Sequence, residues 1–257
     1  MHILAVANHK GGVGKTAVVQ NLGVLMSADG LRVLLVDLDP QASLTGAFGI
    51  EEPDHNMARV MGGVEPGDLR LAEIVQTVRE RLDLAAGDIT LAAAEMHLYT
   101  RFGRENILAH ALATVRGRYD LALLDCPPSL ALLTINALNA AHGVIAPAQP
   151  TGADLRGVRL FLATLDQLRR GLGRDDLQLL GVVPMMSDAR YRHHLAAIEA
   201  MQRGGVPLLP SIGRTVKIAE AMAAGQALGE YEPGNPQNAA FETLANEVKL
   251  WLKSNPT

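Results

Sequence analysis

The densest chemistry in the chain is near its start, in His9-Lys10-Gly11-Gly12-Val13-Gly14-Lys15-Thr16. A short apolar run, Ile3 to Ala7, precedes these residues, and a segment of helical periodicity follows them. Glycines let successive backbone N–H groups curl around a phosphate, and a helix N-terminus adds positive potential there. Lys15 is spaced to reach the β- and γ-oxygens of a nucleoside triphosphate, and the Thr16 hydroxyl to ligate the accompanying Mg²⁺. The expected nucleotide contacts are Lys10, Gly11, Gly12, Val13, Gly14, Lys15, Thr16 and Ala17. A glycine turn without a ligand needs neither two lysines nor a threonine at fixed offsets.

Two further apolar runs end in acids. Leu34-Leu35-Val36-Asp37-Leu38-Asp39 ends in two carboxylates, and Leu123-Leu124-Asp125 ends in one. Carboxylates at the C-terminal ends of parallel strands face the crevice where such sheets bind their ligands.

These residues need strands to carry them. Short apolar runs alternate with longer helical segments, the pattern of βα units on a mainly parallel sheet. Expected strands are His2 to Ala7, Arg32 to Asp37, Asp88 to Ala93, Tyr119 to Asp125, Gly143 to Ala148, Leu177 to Val183 and Pro207 to Leu209. Nearly all are apolar throughout, as strands covered on both faces must be. Expected helices span Lys15 to Ala28, Arg104 to Arg116, Leu130 to Ala141, Leu155 to Arg170, Arg190 to Arg203, Thr215 to Ala224 and Asn238 to Leu252. The stretch from Glu51 to Arg81, broken at Gly62-Gly63 and Pro66-Gly67, reads as an exposed helical excursion. The expected fold is α/β: one doubly wound domain over residues 1–257, with a mainly parallel twisted sheet, helices on both faces and a phosphate loop.

Composition narrows the class. The 257 residues are 48% hydrophobic and 19% charged, an ordinary globular balance. The single Cys126 permits no intrachain disulfide and no CxxC pair, which fits a reducing cytoplasm and a small core residue. A formal net charge of −4 argues against a chain basic all over, so any nucleic-acid contact needs a local patch. His193 and His194 are adjacent and point about 100° apart on a helix, a poor metal pair.

The loop departs from the general pattern GxxxxGK followed by Ser or Thr. That pattern asks for glycine where this chain has His9, and it does not ask for Lys10. Lys10-Gly11-Gly12-Val13-Gly14-Lys15-Thr16 resembles the deviant Walker A motif of the ParA/MinD ATPases, whose extra lysine is the signature lysine. The resemblance covers almost the whole chain. It is closest to ParA-type partition ATPases through Asp37-Leu38-Asp39-Pro40-Gln41, Asp125-Cys126-Pro127-Pro128-Ser129-Leu130, Leu133-Thr134-Ile135-Asn136-Ala137-Leu138 and Ile218-Ala219-Glu220-Ala221.

That resemblance implies an Mg-ATPase forming an ATP-dependent sandwich homodimer. Such a dimer binds DNA non-specifically, is switched off by a ParB-type partner, and works in the cytoplasm on the nucleoid. It implies catalytic roles for Lys10, Lys15 and Asp39: Lys10 reaches across the dimer, and Asp39 orients the attacking water. Metal roles fall to Thr16, Asp37, Asp39 and Asp125, with Asp37 supporting the shell and Asp125 holding Mg²⁺ through water. DNA phosphates would meet Arg190, Arg214 and Lys217, with Arg192, His193 and His194 as an extension by proximity.

Three rivals share these motifs: a positioning ATPase for a protein cargo, a MinD-like membrane-cycling regulator, and a metabolic synthetase. The stripe Phe241, Leu244, Ala245, Val248 and Leu252 reads as core packing rather than a lipid anchor, because its polar face lacks a run of Lys and Arg. No membrane partner is expected. Two departures from the partition pattern stand out: Ile212-Gly213-Arg214 in place of Ile-Pro-Arg beside the adenine, and the turn Gln149 to Asp154 without Glu-Tyr-Tyr.

Overall fold

The computed structural model describes residues 1–62, 69–188 and 190–255. Its strands are β1 (His2–Val6), β2 (Val33–Asp37), β3 (Val75–Arg79), β4 (Leu82–Ala85), β5 (Leu121–Asp125), β6 (Gly143–Ala148), β7 (Gln178–Ser187) and β8 (Ile212–Gly213). They form one eight-stranded sheet in the order β3-β4-β2-β5-β1-β6-β7-β8. Every pairing is parallel except β3 with β4.

Side chains alternate across each central strand, and both sets are apolar. Ile3, Ala5, Leu34, Val36, Ala122 and Leu124 face one buried cluster, which the helices Met57–Met61, Leu91–Leu98, Ile107–Ala113, Leu132–Ala140 and Gly152–Leu172 complete. Leu4, Val6, Val33, Leu35, Leu121 and Leu123 face the other cluster, covered by the helices Lys15–Ala28 and Asn238–Ser254. This two-sided burial is why the central strands carry almost no polar residues until they end. After β1 the chain crosses to β2 on one side, and later to β6 on the other, so the C-terminal end of β1 lies at a topological switch point.

Three expectations fail, the last of them in part. Asp88 to Ala93 is not a strand: it is a turn leading into the helix Leu91–Leu98, as its run of alanines favours. The strand of that unit is β4, in an antiparallel pair with β3 that turns at Glu80-Arg81, where Arg81 takes φ 59° without a glycine to signal it. The region from Glu51 to Arg81 is also no exposed excursion, since Met57, Val60, Met61, Leu71 and Ile74 are buried against the sheet. Gly63, Pro66 and Gly67 lie outside the described residues. Pro207 to Leu209 is reduced to one bridge, Leu208 with Val182, and pairing resumes at β8.

Candidate nucleotide-binding site

β1 ends at Val6, and the chain then turns through the glycine loop into the helix Lys15–Ala28. Gly12 and Gly14 take φ of 69° and 94°, conformations that cost a side-chain-bearing residue strain. Gly14 is required twice over, because a Cβ there would stand 2.6 Å from the Met185 methyl. Gly14 is the helix N-cap and offers no side-chain cap, so the first-turn N–H groups are left to a ligand.

Loop and crevice enclose a cavity of about 470 Å³. At the phosphate end it is lined by Gly11 through Ala17, with Asp39 and Ser43. It is also lined by Met185, Met186, Gly213, Ile218 and Met222, a largely apolar wall of the kind a base packs on, with Met185 beside Gly14. Lys15 is buried and donates to the Lys10 carbonyl at 3.1 Å. Burial lowers its pKa, opposed by the charges of Asp125 and Asp39.

Asp37 and Asp125 are register partners at the ends of β2 and β5. Both are buried, and burial raises the pKa of each. Asp37 Oδ1 accepts from Asp39 N–H at 3.1 Å, and its Oδ2 accepts from Thr45 N–H at 2.9 Å and Thr45 Oγ1 at 2.7 Å. Asp125 differs. The Thr16 hydroxyl is near enough to favour its ionised form but outside hydrogen-bond geometry, and neither carboxylate oxygen has a hydrogen-bond partner among the described residues. An orphaned buried carboxylate beside a threonine hydroxyl and a phosphate loop fits a hydrated divalent cation. Asp37, by contrast, already accepts three hydrogen bonds from protein donors, one on Oδ1 and two on Oδ2.

Lys10 is half exposed and ion-paired with Asp154, a buried carboxylate in the first turn of Gly152–Leu172 that also accepts from Thr151 Oγ1. Its neighbour His9 packs on Gly157 of the same helix, where a Cβ would sit 3.3 Å from the ring. Sequence reasoning missed Asp154, although Thr151-x-x-Asp154 after a strand has the spacing of a helix-capping pair. It also missed Gln149, whose Nε2 lies 3.4 Å from the Gly12 carbonyl and 3.2 Å from Met186 Sδ.

The basic residues are on the segments that carry this wall, after β7, after β8 and at the start of the helix Lys217–Ala223. Asp188 and Arg214 follow the paired ends of β7 and β8, and Arg214 N–H donates to the Ser187 carbonyl at 3.0 Å. Arg190 is exposed and grips Asp188 with Nε at 3.0 Å and a terminal nitrogen at 2.7 Å, which pulls the Asp188 carboxyl down to about 2. Lys217 pairs with Glu220 at 2.7 Å. The exposed Arg192 and His193 and the half-buried His194 are on the next helix, Arg192–Arg203, with the rings of His193 and His194 4.5 Å apart. Cys126 is fully buried, and burial raises its thiol pKa. Phe241, Leu244, Ala245 and Val248 pack into the core as read. Among the described residues no helix is long and apolar enough to cross a membrane.

The family profile described as AAA domain matches residues 1–179. The chain is 37% identical to sporulation initiation inhibitor protein Soj of Bacillus subtilis, over 96% of this chain and 97% of that one. It is 34% identical to chromosome partitioning protein ParA of Caulobacter vibrioides, over 96% and 94%. The chain belongs to the ParA/Soj family of P-loop ATPases. Among solved structures, cobyrinic acid a,c-diamide synthase of Mycobacterium smegmatis, with a bound ATP analogue and magnesium, superposes with a TM-score of 0.84 at 35% identity, over 99% of this chain and 97% of that one. Membership makes this ParA/Soj chain an ATPase using ATP and Mg²⁺, and the loop, Lys15, Thr16 and the open Asp125 are the groups that fit them.

Proposed function

We propose that the chain is a single-domain partition ATPase that positions DNA in the cytoplasm, on the nucleoid. ATP joins two copies into a sandwich dimer, the dimer holds DNA without sequence preference, and slow hydrolysis stimulated by a ParB-type partner releases it. The observation that supports this reading is where the basic residues fall in the chain: Arg190 follows β7, Arg214 follows β8 and Lys217 opens the next helix, and Met186, Gly213 and Ile218 of the same segments line the nucleotide cavity. A surface built on those segments can respond to what the cavity holds.

Bound Mg²⁺·ATP supplies the scissile phosphoanhydride and a cation that neutralises its charge. Loop N–H groups and Lys15 bind and orient the phosphates, Thr16 and Asp125 hold the cation, and Asp39 orients a water in line with the γ-phosphate. Lys10 leaves Asp154 and contacts the phosphates of the second copy.

The test is DNA binding followed by gel shift with ATP, ADP and a non-hydrolysable analogue. Binding confined to the triphosphate states is expected. Arg214→Glu should weaken it at all sequences alike and flatten its salt dependence, with ATP affinity unchanged. Liposome binding without DNA binding would favour the membrane regulator. The resemblance to a named synthase keeps a metabolic reading alive: ATP turnover that requires a small carboxylic acid, with no DNA binding, would establish it instead.

A further inference from the structure

We infer that Thr45 is a positioning residue for hydrolysis, holding Asp39 at the phosphates through Asp37; this rests on the reading of Asp39 as the group that orients water. Thr45 is 1% exposed and has no place in the cavity lining. It belongs to the short helix Ser43–Gly46, part of a segment that leaves β2 at Asp37 and lays Asp39, Gln41 and Ser43 along the cavity.

The segment is tied at three points. Asp37 Oδ1 holds the Asp39 backbone N–H, and Asp37 Oδ2 holds both the N–H and the hydroxyl of Thr45. The same hydroxyl accepts from Gly87 N–H at 2.9 Å, which joins the segment to the chain just after β4. Gln20, on the helix that opens at Lys15, donates to the Ala47 carbonyl at 2.7 Å. A threonine hydroxyl has one proton, and here it is spent on Asp37 while a lone pair takes Gly87, so its rotor has a single setting. Gly87 must lack a side chain, since a Cβ would lie 2.8 Å from the Asp37 carbonyl oxygen.

Inside this loop Asp39 has little freedom. Its N–H is held by Asp37, its carbonyl accepts from Ala42 N–H at 2.8 Å, and its Oδ1 accepts from Gln41 N–H at 2.9 Å. Ala42 takes φ 52°, a left-handed setting uncommon for alanine that the flanking bonds enforce. The hydroxyl of Thr45 thus ties together β2, the segment after β4 and the turn carrying Asp39. A group that orients water loses rate steeply with small displacements, whereas ground-state ATP binding rests on the loop and Lys15.

The experiment compares Thr45→Val, Thr45→Ser and Thr45→Cys with the parent in steady-state ATP hydrolysis and direct ATP binding, each corrected for folded fraction by circular dichroism. Thr45→Val keeps the shape and deletes both hydroxyl bonds. It should lower kcat by roughly tenfold to a hundredfold while ATP affinity stays within about threefold. Thr45→Ser should return kcat to near the parental value, and Thr45→Cys should fall between. If the valine protein does not fold, the serine-to-cysteine ratio carries the same reading.

Asp39→Ala and the double variant Asp39→Ala/Thr45→Val complete the cycle. The valine change should cost nothing further once Asp39 is gone. A folded Thr45→Val protein with parental kcat, a raised KM at unchanged kcat, equal rates for Ser and Cys, or additive losses in the double variant would each overturn the inference. Parental hydrolysis by Asp39→Ala would instead overturn the reading of Asp39 on which it stands.

Discussion

The ends of β2 and β5 place two buried aspartates opposite each other in register, yet the protein treats them in opposite ways. Asp37 is surrounded by donors from Asp39 and Thr45, whereas Asp125 has no hydrogen-bond partner for either oxygen among the described residues. Burial raises the pKa of both, so neither position is comfortable for charge. The difference separates a carboxylate that builds the site from one kept open for what the site binds. A buried acid supplied with donors by its own chain is tied into the fold, whereas one without protein donors beside a phosphate loop fits a hydrated cation.

Exchange at the open end should have the largest effect. Asp125→Asn is expected to lower Mg²⁺-dependent hydrolysis by about 10- to 100-fold, the usual cost of losing a group that holds a metal through its shell. ATP turnover titrated with Mg²⁺ checks this, and a parental magnesium dependence would erase the contrast between the two acids.

Stability should move the other way at the two positions. Asp37→Ala leaves the buried N–H and hydroxyl of Thr45 without their acceptor and should cost roughly 2–4 kcal/mol in urea unfolding. Asp125→Asn removes a bare charge and should raise the unfolding midpoint of the nucleotide-free protein. Destabilisation by both changes would mean that Asp125 also serves the fold.

The smallest effect is in the pH dependence of that gain. A group whose folded pKa lies above its unfolded value contributes stability at low pH, and that contribution is lost as pH rises. Asp125 is raised well above 3.8, so the advantage of Asp125→Asn should be near zero below pH 4 and grow steadily above it. Urea midpoints of both proteins across that range read the difference. An advantage independent of pH would show that the benefit is packing, not charge.

Both acids stand out in the sequence as strand-end carboxylates, but the protein donors around Asp37 do not. Gly14, Lys15, Thr16 and Asp125 act through backbone geometry and short-range offsets, which a linear motif records. Asp37 owes its task to Thr45 and Gly87, and Gly87 is reached only after the chain has passed through β3 and β4. The fold divides the same way. β1, β2, β5 and β6 were visible as runs apolar except at their ends, because burial on two faces writes itself into composition. β3 is partly exposed at the sheet edge, and the hairpin to β4 turns at Glu80-Arg81 instead of a glycine pair, so neither period nor turn chemistry announced it. The basic residues could be read as charge, but their local pairings could not: Arg190 and Lys217 already hold Asp188 and Glu220, and DNA would have to compete with those partners.

Gly213 has a backbone N–H, which a proline would lack, and it donates to Gln237 at the head of the last helix. That helix packs on Lys15–Ala28 through the cluster of Phe241, Leu244 and Val248 with Val18, Leu22 and Met26, and Lys15–Ala28 begins at the phosphates. The structure closes on itself like a hoop: apolar wall, Gln237, last helix, first helix, phosphate loop. The final helix thus adjoins both segments that border the cavity, Gly213 through Gln237 and Lys15–Ala28 through its apolar face, although no residue of it lines the cavity.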